Sequence, residues 1–177
     1  MTLPNFWRRA AFTVAETAQL IGVSEDSLRA WLARNVSNDF NGRKTGSRLY
    51  LSGVDAFYFL LVRHLAAFGV PIRSAMFTAE RIGVSVDDAM PYSDFLLVRV
   101  DGQVANFEHT NEPAFDGQPT LVLPLTRLMT DLIERAAVVY SADQDAPSAR
   151  IGTAGGKPVA EWCDGIETEL SRMPVNA

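Results

Sequence analysis

The sequence predicts an α+β fold, and three observations carry that prediction. Short amphipathic helices with capping signals fill most of residues 1–82, and a basic, glycine-bearing hairpin interrupts them. Beyond residue 94, apolar β-type runs flank an Asp-Gly turn, and a longer amphipathic helix follows. Apolar residues make up 47% of the chain and charged residues 21%, enough for a buried core in a water-exposed protein. Apolar runs such as residues 56–62 are far too short to span a bilayer, and the N-terminus has no basic stretch leading into an apolar segment. No membrane association and a cytoplasmic location are therefore expected. Cys163 is the only cysteine, so no internal disulfide and no cysteine-rich metal site can form.

Thr13-Val14-Ala15-Glu16 is a capping box, and it predicts a helix from Val14 to about Ile21 that buries Val14, Ala18 and Ile21. Gly22 supplies the backbone freedom needed where that helix stops. Ser24 is the N-cap of a second helix, with Glu25 and Asp26 in its first turn, and this helix runs to about Arg34 and buries Leu28, Trp31 and Leu32. Two short helices around a glycine turn fit a helix-turn-helix, and they fit equally an αα-hairpin of a helical bundle. The segment 40–50 then offers a tight turn with Arg43, Lys44 and Arg48 on it, which reads as a phosphate-gripping wing. Ser52-Gly53-Val54-Asp55 caps a third helix, roughly Val54 to Phe68, carrying Phe57, Leu60, Leu61, His64, Leu65 and Phe68 at helical spacing. Gly69 ends it, and Pro71 opens a fourth that reaches about Ile82.

This order resembles the DNA-binding domain of the MerR family of regulators. The segments that carry the resemblance are Phe12-Thr13-Val14-Ala15-Glu16, Ile21-Gly22-Val23-Ser24, Asp26-Ser27-Leu28-Arg29 and Ser47-Arg48-Leu49-Tyr50, followed by the stretch 65–72 (LAAFGVPI). The resemblance covers less than half the chain and implies a winged helix-turn-helix of four helices and a β-hairpin wing. It implies DNA contacts from Ser24, Ser27, Arg29 and Arg34 around the recognition helix, with Arg29 reaching the backbone or a base edge in the major groove. It also implies contacts from Arg43, Lys44, Arg48 and Tyr50 on the wing. Arginine suits such a role because its planar fork matches guanine and phosphate. At Ala30-Trp31-Leu32 the sequence departs from the family's usual tyrosines and acid, and there it is similar to phage excisionases and small terminase subunits. The family's long coiled-coil helix is also not evident, because residues 83–94 read as a linker.

In the second half, Phe95 to Val100 is a strand, Asp101-Gly102 a hairpin turn, and Gln103 to Glu108 the returning strand. A loop over 109–119 precedes a third strand, Thr120 to Leu125, and an amphipathic helix ending near Tyr140 with Leu125, Leu128, Met129, Leu132, Ile133, Ala136 and Val139 on its apolar face. The expected product is a small antiparallel sheet with a packed helix over 95–140, for dimerisation or for binding a partner or ligand. Residues 141–157 read as a flexible linker, and 158–177 as a short helix and tail with Trp162, Ile166 and Leu170 on one face.

Charge divides unevenly between the halves. Residues 1–80 hold nine Lys/Arg against six Asp/Glu, a net of +3, whereas 81–177 hold seven against fifteen, a net of −8. A basic module that meets phosphate and an acidic one with another task are expected. No catalytic constellation is read: His64 reads as a core-edge residue, and His109 as solvated or capping. The glycines of 152–158 lack the spacing of a phosphate loop, Glu108, Glu112 and Asp116 read as a solvated acidic loop, and no cofactor or metal is expected. The expected function is sequence-specific transcriptional regulation on double-stranded DNA as a homodimer or higher oligomer, with a possible protein partner for the acidic half. The alternative is an excisionase-like or DNA-packaging recognition factor of the small-terminase kind.

Overall fold

The computed structural model describes residues 3–34, 43–45, 47–87, 93–101, 104–114 and 117–142. Among them it is an α+β protein with six helices and two three-stranded antiparallel sheets. The expected helices become α2 (Val14–Ile21), α3 (Glu25–Arg34), α4 (Gly53–Ala67) and α5 (Ile72–Asp87). Both capping boxes form. The Thr13 hydroxyl accepts from the Glu16 amide, and the Ser52 hydroxyl from the Asp55 amide, while each carboxylate accepts from its cap residue's N–H. Gly22 adopts the left-handed conformation at φ 71°, which lets the Val23 amide donate back to the Ala18 carbonyl and close helix α2.

Two elements were not expected from the sequence. A four-residue helix, α1 (Asn5–Arg8), buries Phe6 and Trp7, and strand β1 (Phe12–Thr13) pairs with β3 (Arg48–Leu51), which forms the hairpin with β2 (Arg43–Thr45), in the order β1-β3-β2. The N-terminal part therefore has five helices, one more than expected, and a third strand beside its hairpin. Trp7 seats against the start of α4 so closely that a Cβ on Gly53 would lie 2.7 Å from its ring.

The second sheet has the order β5-β4-β6, from β4 (Phe95–Asp101), β5 (Val104–Thr110) and β6 (Leu121–Pro124), and α6 (Leu125–Ala142) follows without a loop. The linker expected over 83–94 is corrected at both ends. Helix α5 runs on to Asp87, because a helix already nucleated propagates through Gly83 and two valines at small cost. At the other end Ser93 and Asp94 are built into the sheet unit: the Leu125 amide donates to the Asp94 carbonyl (2.8 Å) and the Thr126 hydroxyl to its carboxylate (2.9 Å), starting α6. Of the linker expected over 141–157, residues 141–142 belong instead to α6, which runs on past Tyr140. Residues 88–92, the rest of that linker, the helix and tail of 158–177, and Cys163 lie outside the described part.

A single apolar core joins the two halves. It runs from Phe12, Ile21 and Leu28 through the nearly enclosed α4 to Leu96, Val98, Leu132 and Ile133. Helix α6 packs against α2 and α4, and its Tyr140 ring lies 5.3 Å from Phe6 and 6.4 Å from Phe12. Residues 1–82 and 95–140, read from the sequence as separate units, thus share their interior. Among the described residues no helix is long and apolar enough to cross a membrane.

Candidate nucleic-acid interface

Helix α3 presents its side chains on two distinct faces. Leu28 is fully buried, while Trp31 and Leu32 are only half-buried, with Trp31 stacked on Phe59 at 6.4 Å. The opposite face is exposed and carries Asp26, Arg29, Ala30 and Ala33 at helical spacing, with Arg34 at its end. Two alanines beside Arg29 leave little bulk there, so a flat or grooved partner can approach the helix backbone closely.

The polar groups of α3 are partly committed within the helix. The Ser27 amide donates to the Ser24 hydroxyl at 3.1 Å, and the two hydroxyls are 2.8 Å apart, so Ser24 is the N-cap as expected. Arg29 donates from Nε (2.9 Å) and Nη2 (2.5 Å) to Glu25 Oε1, one turn earlier. Both members of this pair are exposed, so the pair is weakly held and a competing anion can displace it. With Glu25, Asp26, Arg29 and Arg34, the helix carries no net charge.

The hairpin differs in kind. Its register pairs Arg43 with Tyr50, Lys44 with Leu49 and Thr45 with Arg48, leaving a two-residue turn at 46–47, of which Gly46 lies outside the described residues. Directly opposed residues share a face, so Arg43, Thr45, Arg48 and Tyr50 line one side, and Lys44 and Leu49 the other. Leu49 packs toward the core, so the two arginines point outward while Lys44 sits on the inward face near the tip. All three cations are exposed, and none forms an ion pair among the described residues. Tyr50 is half-buried at the root, between Arg43 and Thr13, and Thr13 also caps α2. The hairpin root is thereby fastened to the start of the helix pair.

The site residues expected from the sequence therefore fall into two groups, Ser24, Ser27, Arg29 and Arg34 on α3 and Arg43, Lys44, Arg48 and Tyr50 on the hairpin. Within each group the residues are neighbours through helical spacing or strand register.

Sequence reasoning missed the two arginines that hold the turn between α2 and α3. Arg63 of α4 donates from Nη1 to the Ile21 carbonyl at 2.8 Å, and Arg135 of α6 donates from Nη1 to the Leu20 carbonyl at 2.6 Å. Both meet the negative end of α2, where the last carbonyls have no partner within the helix. Gly22 leaves room for the Arg63 guanidinium, since a Cβ there would lie 3.1 Å from Nη1. The need for donors at that helix end was legible, but their source 42 and 115 residues away was not.

Elsewhere, Ser93 and His109 lie together, a pairing that in other settings activates a nucleophile. Here the Ser93 hydroxyl lies within hydrogen-bond distance of both the Phe95 carbonyl (2.9 Å), to which it can donate, and His109 Nδ1 (3.0 Å). Burial lowers the His109 pKa, and burial with the adjacent Arg63 charge lowers that of His64, so both favour the neutral form. Among the described residues no cluster of three or more His, Cys, Asp or Glu is placed to hold a metal ion, and Asp116 of the expected acidic loop lies outside them. No protein-family model matches the chain, and no curated protein matches it.

Proposed function

We propose that the chain is a sequence-specific, double-stranded-DNA-binding transcriptional regulator with a MerR-like winged helix-turn-helix. In this reading the exposed face of α3 enters the major groove, and Arg43, Lys44 and Arg48 hold phosphate beside it. The observation that carries the reading is the hairpin: three exposed cations with no ion pair among the described residues, on strands rooted at the start of the α2–α3 pair. Unpaired cations on a projecting hairpin have little stabilising role within the fold, and they match the evenly spaced charge of a DNA backbone. Arg29 is the base-reading candidate, since small neighbours leave its fork free to leave Glu25 and meet a guanine edge. Selection from a random duplex library by the full chain tests this, with enrichment of one motif expected. Recovery of no motif, with binding equal on all sequences, would overturn it.

A second reading, recognition of DNA for excision or packaging, draws on the course of the chain beyond α5. Among the described residues it turns into a sheet, and α6 folds back onto α2 and α4 rather than projecting as a dimerisation helix. Light scattering separates the two. A two-fold dimer on DNA suits an operator with paired half-sites, and a ring of many copies suits packaging.

A further inference from the structure

Helix α5 exposes a line of residues that the fold does not use. Arg73, Phe77 and Arg81 follow one another at one-turn spacing, while Ala75, Met76, Thr78 and Ala79 face the interior. Phe77 is 62% exposed, an unusual state for a side chain of its size. The Arg81 guanidinium lies over the rings of Phe77 (5.9 Å) and Phe107 (5.0 Å), which extends the surface from α5 onto strand β5. Two acids close to this surface, in sequence or on β5, have partners elsewhere. Glu80 acts on Tyr58 of α4, and Glu108, on the opposite face of the sheet from Phe107, reaches Arg99 at 3.4 Å. Arg73 and Arg81 have no ion pair among the described residues. The surface is an aromatic centre flanked by two uncompensated cations, and its complement is an apolar stripe edged with acids.

The chain carries such a segment beyond Ala142. Residues 159–173 place Trp162, Ile166 and Leu170 at four-residue intervals, and with one arginine, Arg172, against Glu161, Asp164, Glu167 and Glu169 they have a net charge of −3. Wound as a helix, the segment sets Glu167 and Glu169 on either side of that stripe. The sixteen residues 143–158 span up to roughly 50 Å when extended. That exceeds the diameter of a body of this size, whose radius of gyration is about 14 Å, so reach is no obstacle. We propose that residues 159–173 dock on the Arg73–Phe77–Arg81 line of the same chain. Trp162 and Ile166 cover Phe77, and Glu167 and Glu169 meet the arginines. Exposed ion pairs contribute little each, so apolar contact supplies the affinity and charge sets the register. Tethering raises the effective concentration to the order of 1 mM, so weak docking suffices. The proposal goes beyond DNA binding and stands independently of it.

Cys163, the only cysteine and the neighbour of Trp162, makes the full chain its own probe. A benzophenone-maleimide attached there is irradiated in an equal mixture of isotopically heavy and light protein, and the cross-linked peptides are mapped by mass spectrometry. Cross-links within one chain to residues 73–81 or Phe107 are expected, reduced about fivefold or more by Phe77→Ala and by Arg73→Glu with Arg81→Glu. Adding Glu167→Arg and Glu169→Arg to the second of these variants is expected to restore them. Positions 73, 77 and 81 are exposed, so circular dichroism should find the variants folded. Cross-links to the β2–β3 hairpin or α3, heavy–light cross-links between chains, or a pattern indifferent to the charge swap would each overturn the proposal.

Discussion

Helix α3 and the β2–β3 hairpin both present basic side chains to solvent, yet they are built on opposite principles. The helix is anchored by a fully buried leucine and an N-cap, its Arg29 is paired within the helix, and its formal charges cancel. The hairpin has three exposed cations with no ion pair among the described residues, and only its root is packed. The difference separates two tasks that a nucleic-acid reader must perform. Long-range attraction to phosphate needs uncompensated charge, and it is indifferent to sequence. Discrimination between bases needs a side chain held in place, and excess charge near it would strengthen binding to every sequence alike. A neutral, well-anchored α3 and a separately charged hairpin suit that division.

The largest expected effect tests the anchoring. Leu28→Ala removes the buried side chain that seats α3 and should cost about 2–5 kcal/mol of stability, measured by urea unfolding. A loss under about 1 kcal/mol would mean that Trp31 and Leu32, only half-buried, hold the helix instead. Next comes the hairpin. Replacing Arg43, Lys44 and Arg48 together with glutamine should leave stability within about 0.5 kcal/mol, since none of them is packed. The same variant should lower the slope of log K against log salt by roughly 3, one for each phosphate no longer neutralised. If affinity falls but the slope stays, the hairpin does not meet phosphate. If only the two outward arginines matter, the strand register has identified the binding face, and Lys44 lies off it.

Smaller effects are expected at the turn that joins α2 to α3. Arg63→Ala and Arg135→Ala each remove a charged donor from the end of α2, and each should cost about 1 kcal/mol. Both positions are exposed enough for water to replace part of the bond. Hydrogen exchange at the 22–24 amides should quicken in both variants, and the double variant should exceed either. Unchanged exchange in Arg135→Ala would mean that α6 rests against the turn without bracing it.

What could be read in the sequence was what lies within one helical turn of itself. The Thr13–Glu16 and Ser52–Asp55 boxes, the Gly22 stop and the Ser24 cap each bring together residues three or four apart, so they name their own geometry. The α1 helix carries no such signal. Pro4 provides no side-chain cap, and the four residues are helical because Phe6 and Trp7 find Tyr140, Phe57 and the bare Gly53. Contacts at that separation leave no periodicity to read. The same limit hid the arginine donors to α2 and the fusion of the two halves into one core. For the interface, composition revealed the hairpin's cations, but only strand pairing shows that two point outward and one inward. The pairing of Arg29 with Glu25 sits at the favourable spacing of four, and it is legible once the acids are read as more than first-turn partners of the helix dipole.

That pair supplies the smallest and most discriminating test. Glu25→Ala removes an exposed ion pair and one first-turn acid, so stability should fall by only a few tenths of a kcal/mol. Its effect on DNA binding should have the opposite sign. In the proposed reading Arg29 no longer has to leave a partner and a negative charge is removed from the DNA-facing surface, so affinity should rise a few-fold at low salt and less at high salt. Arg29→Ala should lower affinity and relax the preference at one base position by about 1–3 kcal/mol. Fluorescence anisotropy on one selected site and its single-base variants reads both. A fall in affinity for Glu25→Ala would reverse the assignment of this pair. The carboxylate would then be holding the guanidinium in its reading geometry, and the balanced charge of α3 would be part of how the base is recognised rather than a restraint released on binding.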